Sequence, residues 1–217
     1  MMRRALWLAL FGIAMAAVES AVVVYLRALH TGVAPFSVLQ YGLPAEILAI
    51  EVAREAATLV MLVTVASLAG RNAWEGLLYF ALAFGVWDIF YYVWLWVFIG
   101  WPSSLLAWDV LFLIPVPWLG PVIAPVIVSL CLVGGGLWLL SHPERRLSRR
   151  AWVLASVGCA LVLLSFMLDY RYALLRIDPP RFRWELFVPG VMLGVFGVAW
   201  DGLPRVNPGL TLYERDS

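Results

Sequence analysis

Asp109-Val110-Leu111-Phe112-Leu113-Ile114-Pro115-Val116-Pro117-Trp118-Leu119-Gly120-Pro121 is the stretch on which the number of helices in this chain turns. It is almost wholly apolar, yet it cannot form an ordinary helix. Pro115, Pro117, Pro121 and Pro125 each lack a backbone N–H, so several carbonyls must find other partners.

Outward from this segment the chain stays apolar. Of its 217 residues 64% are apolar and 13% charged, with a mean hydropathy of +0.91. A soluble domain of this length would fill its interior before placing so many apolar side chains. Runs of about 20 apolar residues recur, the length a helix needs to cross ~30 Å of hydrocarbon. One integral membrane domain is therefore expected over residues 1–217. Its spans are read at about 5–29, 46–69, 74–99, 119–140, 151–168 and 185–200. Pro44 opens the second span and Gly70 closes it, and Gly100-Trp101-Pro102 stops the third. Ala14-Met15-Ala16 resembles a signal-peptide cleavage site, but the apolar run continues past Glu19 to about Leu29, so an uncleaved first helix is expected.

Leu105 to Leu140 is too long for one span and too short for two with a proper loop. Charge placement decides between them. Glu144-Arg145-Arg146-Leu147-Ser148-Arg149-Arg150 is the densest basic loop and is assigned to the cytoplasmic side, with Arg3, Arg4, Arg71, Arg205 and Arg215. An even number of crossings must then separate Arg71 from Arg145, and the third helix supplies one of them. Residues 104–118 are accordingly read as a re-entrant or interfacial segment, and 119–140 as the fourth span. The expected fold is an all-α bundle of six transmembrane helices plus this proline-broken segment. It would sit in a bacterial-type cytoplasmic membrane with both termini cytoplasmic. The arginines of the expected outer loops, Arg27, Arg171, Arg176, Arg181 and Arg183, run against that orientation. If the broken segment dips inward it carries Asp109 into the bundle, as discontinuous helices do in transporters. If it is interfacial, Trp101, Trp108 and Trp118 anchor it and Asp109 meets headgroup water.

Composition also excludes chemistries. All fifteen basic residues are Arg. Without Lys there is no P-loop lysine, no Schiff base and no retinal pigment. His30 and His142 are both expected in loops, which argues against bis-His haem, an HExxH zinc site and a Ser-His-Asp triad within the membrane. Cys131 and Cys159 stand alone in apolar segments and read as small core residues. The formal charge of +1 points to no nucleic acid. The expected partner is the lipid bilayer. A homo-oligomer or membrane-complex partner stays open, with Gly134-Gly135-Gly136 as a suitable small-residue face.

Ionisable groups in hydrocarbon cost about 2.5–3.5 kcal/mol each on insertion scales, and point to function. Glu19, Glu51, Arg54, Glu55 and Asp88 all fall inside expected spans. At 1.5 Å per residue, Glu19, Glu55 and Asp88 lie roughly 14–17 Å from the outer ends of their helices. Glu51, Glu55 and Thr58 share one helical stripe, while Asp88 shares a face with Gly85, Tyr91 and Tyr92. Glu19 adjoins the small-residue face Gly12, Ala16 and Ser20. The candidate ion- or proton-binding residues are thus Glu19, Glu51, Arg54, Glu55, Asp88 and Asp109, with Thr58, Tyr91 and Tyr92 around them. Glu19, Glu55 and Asp88 are also the candidate ligands should a divalent cation be the cofactor. Four carboxylates against Arg54 leave an excess of negative charge that protons or a cation must relieve. The structural alternative is an ion-pair network, with Arg54 held by Glu51 or Glu55, and Glu19 held by Arg27 or a water.

Three function classes follow. The first is a carrier or channel-like protein that binds or relays a proton or cation. The second is a membrane enzyme using carboxylate acid–base or divalent-metal chemistry on a lipid or quinone. The third is a non-catalytic subunit of a larger membrane complex.

Overall fold

The computed structural model describes residues 1–31, 45–175, 177 and 179–200. In chain order these form α1 (Met2–Thr31), α2 (Ala45–Ala69), α3 (Ala73–Ile99), β1 (Trp108–Phe112), β2 (Trp118–Pro121), α4 (Ile123–Ser141), α5 (Arg149–Met167), α6 (Tyr170–Leu175) and α7 (Trp184–Trp200). The protein is mostly helical. Four stretches are long and apolar enough to cross a membrane: Met2–Leu29, Ala73–Ile99, Ile123–Ser141 and Arg149–Leu175. α2 differs from them in carrying Glu51, Arg54 and Glu55 together, and α7 is shorter at 17 residues. Pro44, expected to open the second span, and Arg176, Arg205 and Arg215 of the expected loops lie outside the described residues.

Local chemistry sets the helix ends. Asn72 caps α3 by accepting from the Glu75 N–H, and Ser148 caps α5 by accepting from Ala151. Gly100 ends α3 with φ of 67°, where its N–H bonds the Trp96 carbonyl. A side chain would strain that left-handed turn. α1 runs through residue 30, so His30 belongs to its last turn and not to a loop. Helical backbone hydrogen bonding simply persists past the apolar run.

α3 is the central helix, packed against α1, α2 and α4. Tyr79, Leu82 and Ala83 of α3 lie in one buried cluster with Leu8 and Ala16 of α1, Leu62 and Ala66 of α2, and Leu139 of α4. α5 pairs with α7, and α7 also meets α4. Small residues permit the closest approaches. A Cβ at Gly12 would stand 3.1 Å from the Ala83 carbonyl oxygen, and one at Gly158 only 2.5 Å from that of Gly190. Cys131 and Cys159 are exposed on the bundle's outer surface. The expectation that they are core residues is wrong, because apolar segments here turn one side outward.

Arg4 Nη1 donates to the Ala69 carbonyl at 2.7 Å, and the Arg146 guanidinium lies 5.6 Å from the Trp74 ring. The start of α1, the α2–α3 turn and the α4–α5 loop therefore share one end of the bundle. Arg27 and Trp101 mark the opposite end, with the guanidinium 4.3 Å from the ring centroid.

Residues 104–118 contain no helix. β1 and β2 form an antiparallel hairpin pairing Trp108 with Pro121, Asp109 with Gly120, Val110 with Leu119 and Phe112 with Trp118, with a register shift at Leu111. The pairing continues at its base, where Val122 N–H bonds Ala107 O at 3.0 Å and Ile123 N–H bonds Leu105 O at 2.8 Å. The fourth helix consequently starts at Ile123, not near 119. The all-α expectation gives way to a helical bundle that holds a two-stranded hairpin. Proline explains the difference: Pro115 and Pro117 fall in the turn and Pro121 at a strand end, where no ladder donor is needed. The hairpin packs tightly. Trp118 stacks on Phe166 of α5 at 6.3 Å, Phe112 meets Trp87 of α3 at 6.2 Å, and a Cβ at Gly120 would stand 3.0 Å from the Phe166 ring.

Replacing Gly158 by Leu should force α5 from α7 and cost about 1–3 kcal/mol. Gly134→Leu is the control, since nothing lies within 4 Å of a Cβ there. Thermal unfolding in detergent should show a lower Tm for the first and an unchanged one for the second.

Candidate functional site

The stripe of α2 is buried as its spacing predicts, with Glu51, Glu55 and Thr58 turned inward. Arg54 lies between two carboxylates. Its Nη1 pairs with Glu19 Oε2 of α1, and its Nε and Nη2 donate to Glu51 Oε2 at 3.0 and 2.8 Å. Thr58 Oγ1 donates to Glu19 Oε1 at 2.5 Å. Glu19 and Glu51 are 5% and 6% exposed, so this pairing operates with little solvent screening. Arg54, and not Arg27, is the partner of Glu19.

Glu55 does not share Arg54 as an ion pair. Its Oε2 accepts the Leu113 backbone N–H at 2.8 Å, immediately beyond β1. A side chain of α2 thus holds the tip of the hairpin. The donor it satisfies is one that the prolines at 115 and 117 leave without a strand partner.

Asp109 is 2% exposed, and so is inside the protein and not in headgroup water. Tyr92 OH donates to its Oδ2 at 3.3 Å, and Arg27 Nη2 stands 4.0 Å from its Oδ1. Asp88, partly buried on α3, accepts from Ser129 Oγ of α4 at 2.8 Å. α4 comes this close because Gly85, one turn earlier, has no side chain: a Cβ there would lie 2.7 Å from the Ser129 carbonyl. Tyr91 contributes its carbonyl, which accepts from Ser20 Oγ at 2.9 Å, and its ring meets that of Tyr92 at 5.1 Å.

The expected residues are therefore all in the interior, but not in one pool. Glu19, Glu51, Arg54 and Thr58 form one group, Glu55 addresses the hairpin tip, and Asp109 with Tyr92 and Arg27 forms another. Asp88 turns to α4. Glu19, Glu55 and Asp88 each bond a different donor, and among the described residues no three His, Cys, Asp or Glu side chains group as metal ligands. Equal depth along three helices does not imply a common azimuth. Among the described residues neither Glu55 nor Asp88 enters an ion pair, whereas Glu19, Glu51 and Asp109 do.

Ser129 was not among the expected residues. Its signal was a lone hydroxyl in the apolar middle of α4. The Leu113 N–H carries no side-chain signal at all. A further pair, Arg183 to Asp169, is bidentate with both distances 2.8 Å and ties the end of α5 to the start of α7. The carboxylate beside it raises the pKa of the Arg183 guanidinium, which stays charged.

Arg54→Gln should leave Glu19 and Glu51 without their cation and cost about 3–5 kcal/mol. Denaturation in mixed micelles should show this loss. Adding Glu19→Gln and Glu51→Gln should recover part of it, because the uncompensated charges are then gone. No protein-family model, curated protein or solved structure matches this chain.

Proposed function

We propose that the chain is a small polytopic membrane protein, carrier or channel-like, that relays a proton through its bundle, with Glu55 and Asp88 as the exchanging groups. The observation that carries this reading is the division among the interior acids. Glu19, Glu51 and Asp109 have arginine partners, while among the described residues Glu55 and Asp88 bond only neutral donors, the Leu113 N–H and the Ser129 hydroxyl. A carboxyl group in such a place exchanges its proton without breaking an ion pair. A proton is preferred to a metal ion because the acids address separate donors.

In this reading the hairpin is re-entrant. It enters from the end marked by Arg27 and Trp101. Its tip reaches Glu55, which lies ten residues, or roughly 15 Å, from the Ala45 end of α2. Burial between α3, α4 and α5 supports this, since irregular backbone survives at membrane depth only inside protein or beside water. Asp109 and Tyr92 would then lie between Asp88 and that outer end. The arginine-rich end would face the cytoplasm, giving six crossing helices with both termini there.

The test is proton flux into liposomes containing the purified protein and a trapped pH-sensitive dye, driven by a potassium diffusion potential. Wild-type protein should acidify the lumen. Glu55→Gln and Asp88→Asn should each lower the rate about tenfold or more, with helical content and monodispersity retained. Glu144→Gln, on an exposed side chain, should change nothing. Equal flux in all four proteins, or none above empty liposomes, would sink the proposal.

A further inference from the structure

The end of the bundle opposite the hairpin holds a groove that the proton-relay reading does not use. It lies between α2 and α3 at their turn, with a volume of about 590 Å³. Val63, Leu77 and Phe80 form its apolar walls, and Ser67, Arg71 and Asn72 lie toward the turn. Gly76 also lines it and adds no side chain to fill it. Val63 and Leu77 are 51% and 42% exposed, so the walls are open to the surroundings.

We propose that this groove binds an anionic phospholipid, with the phosphate on Arg71 and the first acyl carbons along Val63, Leu77 and Phe80. Charge is the first argument. Arg71 is exposed and, among the described residues, in no ion pair. The nearby acid is Glu75, and its Oε2 is engaged by the Arg71 backbone N–H at 3.0 Å. Asn72 Oδ1 is taken by the α3 cap, which leaves its amide N–H₂ as a second donor. Ser67 donates to Val63 O at 2.7 Å and forms part of the wall. The same end gathers Arg4 at the Ala69 carbonyl and Arg146 over Trp74. With Arg3, Arg145, Arg149 and Arg150 nearby in sequence, it carries seven arginines against Glu75 and Glu144.

Length is the second argument. Val63 to Ala69 are seven residues of helix, roughly 10 Å. That matches the polar interface of about 5–7 Å per leaflet plus the start of the chains. A guanidinium forks onto phosphate oxygens with two parallel hydrogen bonds. A free phosphate would gain from Arg71 but have no use for the three apolar walls, which is why the occupant is a lipid.

Native mass spectrometry of the purified full chain, titrated with dioleoyl phosphatidylglycerol or dioleoyl phosphatidylcholine, tests this. The expected result is a preference of about tenfold for the anionic lipid. Arg71→Gln should reduce that preference to near parity. Leu77→Trp, which fills the groove and keeps the charge, should weaken retention of phosphatidylglycerol by a similar factor. Arg149→Gln, outside the groove, should retain it as the parent does. Equal retention of both lipids overturns the proposal. So does unchanged retention in both groove variants, which would mean diffuse attraction to the basic end. Displacement by millimolar inorganic phosphate would assign the site to a soluble anion instead. Since Leu77→Trp leaves Arg71 intact, the proposal stays testable even where Arg71→Gln lowers the yield.

Discussion

One guanidinium between two carboxylates sets the geometry on which the rest of the interior depends. Arg54 has three nitrogens and uses all of them, one on Glu19 and two on Glu51. α1 and α2 pack on α3 far more than on each other, so this polar clasp is what fixes their relative rotation. Helical periodicity does the remainder. Once Glu51 and Arg54 are committed, Glu55 one turn beyond Glu51 must face the same interior, and Thr58 after it closes on Glu19. The carboxylate that holds the hairpin tip is therefore aimed by a contact several ångströms away.

Backbone polarity explains why the proline-rich segment is a hairpin. Four prolines within eleven residues remove donors that a helix needs, while leaving carbonyls to be satisfied. Cross-strand pairing uses the donors that remain and places Pro115 and Pro117 at the turn and Pro121 at a strand end, while Pro125 falls in the first turn of α4, where no intrahelical donor is needed. At the tip, the Leu113 amide, which has no strand partner, finds Glu55. Gly120 and the aromatic rings of Phe112, Trp118 and Phe166 then bring the strands flush against helices.

Much of this was legible beforehand, for identifiable reasons. Helices appear at all six expected places because long apolar runs are bounded by Gly, Pro and charged loops, and these punctuate strongly. The polar stripe of α2 was readable from spacing alone. The strands were not, because Val110-Leu111-Phe112-Leu113-Ile114 is a continuous apolar run without the alternation that marks a strand. Nor was the azimuth of Asp88. Counting residues measures position along a helix axis, but which neighbour sits on a given side is a tertiary fact. Hence Ser129, far away in sequence, displaced Glu19 and Glu55 as the expected company of Asp88. The exposed cysteines fail for the same reason: an apolar residue in an apolar helix gives no hint of which way it points.

Those two thiols have a practical consequence. Cys131 is on α4, which packs against α3, and Cys159 is on α5, which pairs with α7. The sequence has no other cysteine. The native chain thus carries one exposed labelling position on α4 and one on α5, without engineering. Paired spin labels there would read the spacing between the two helix groups as a single distance distribution.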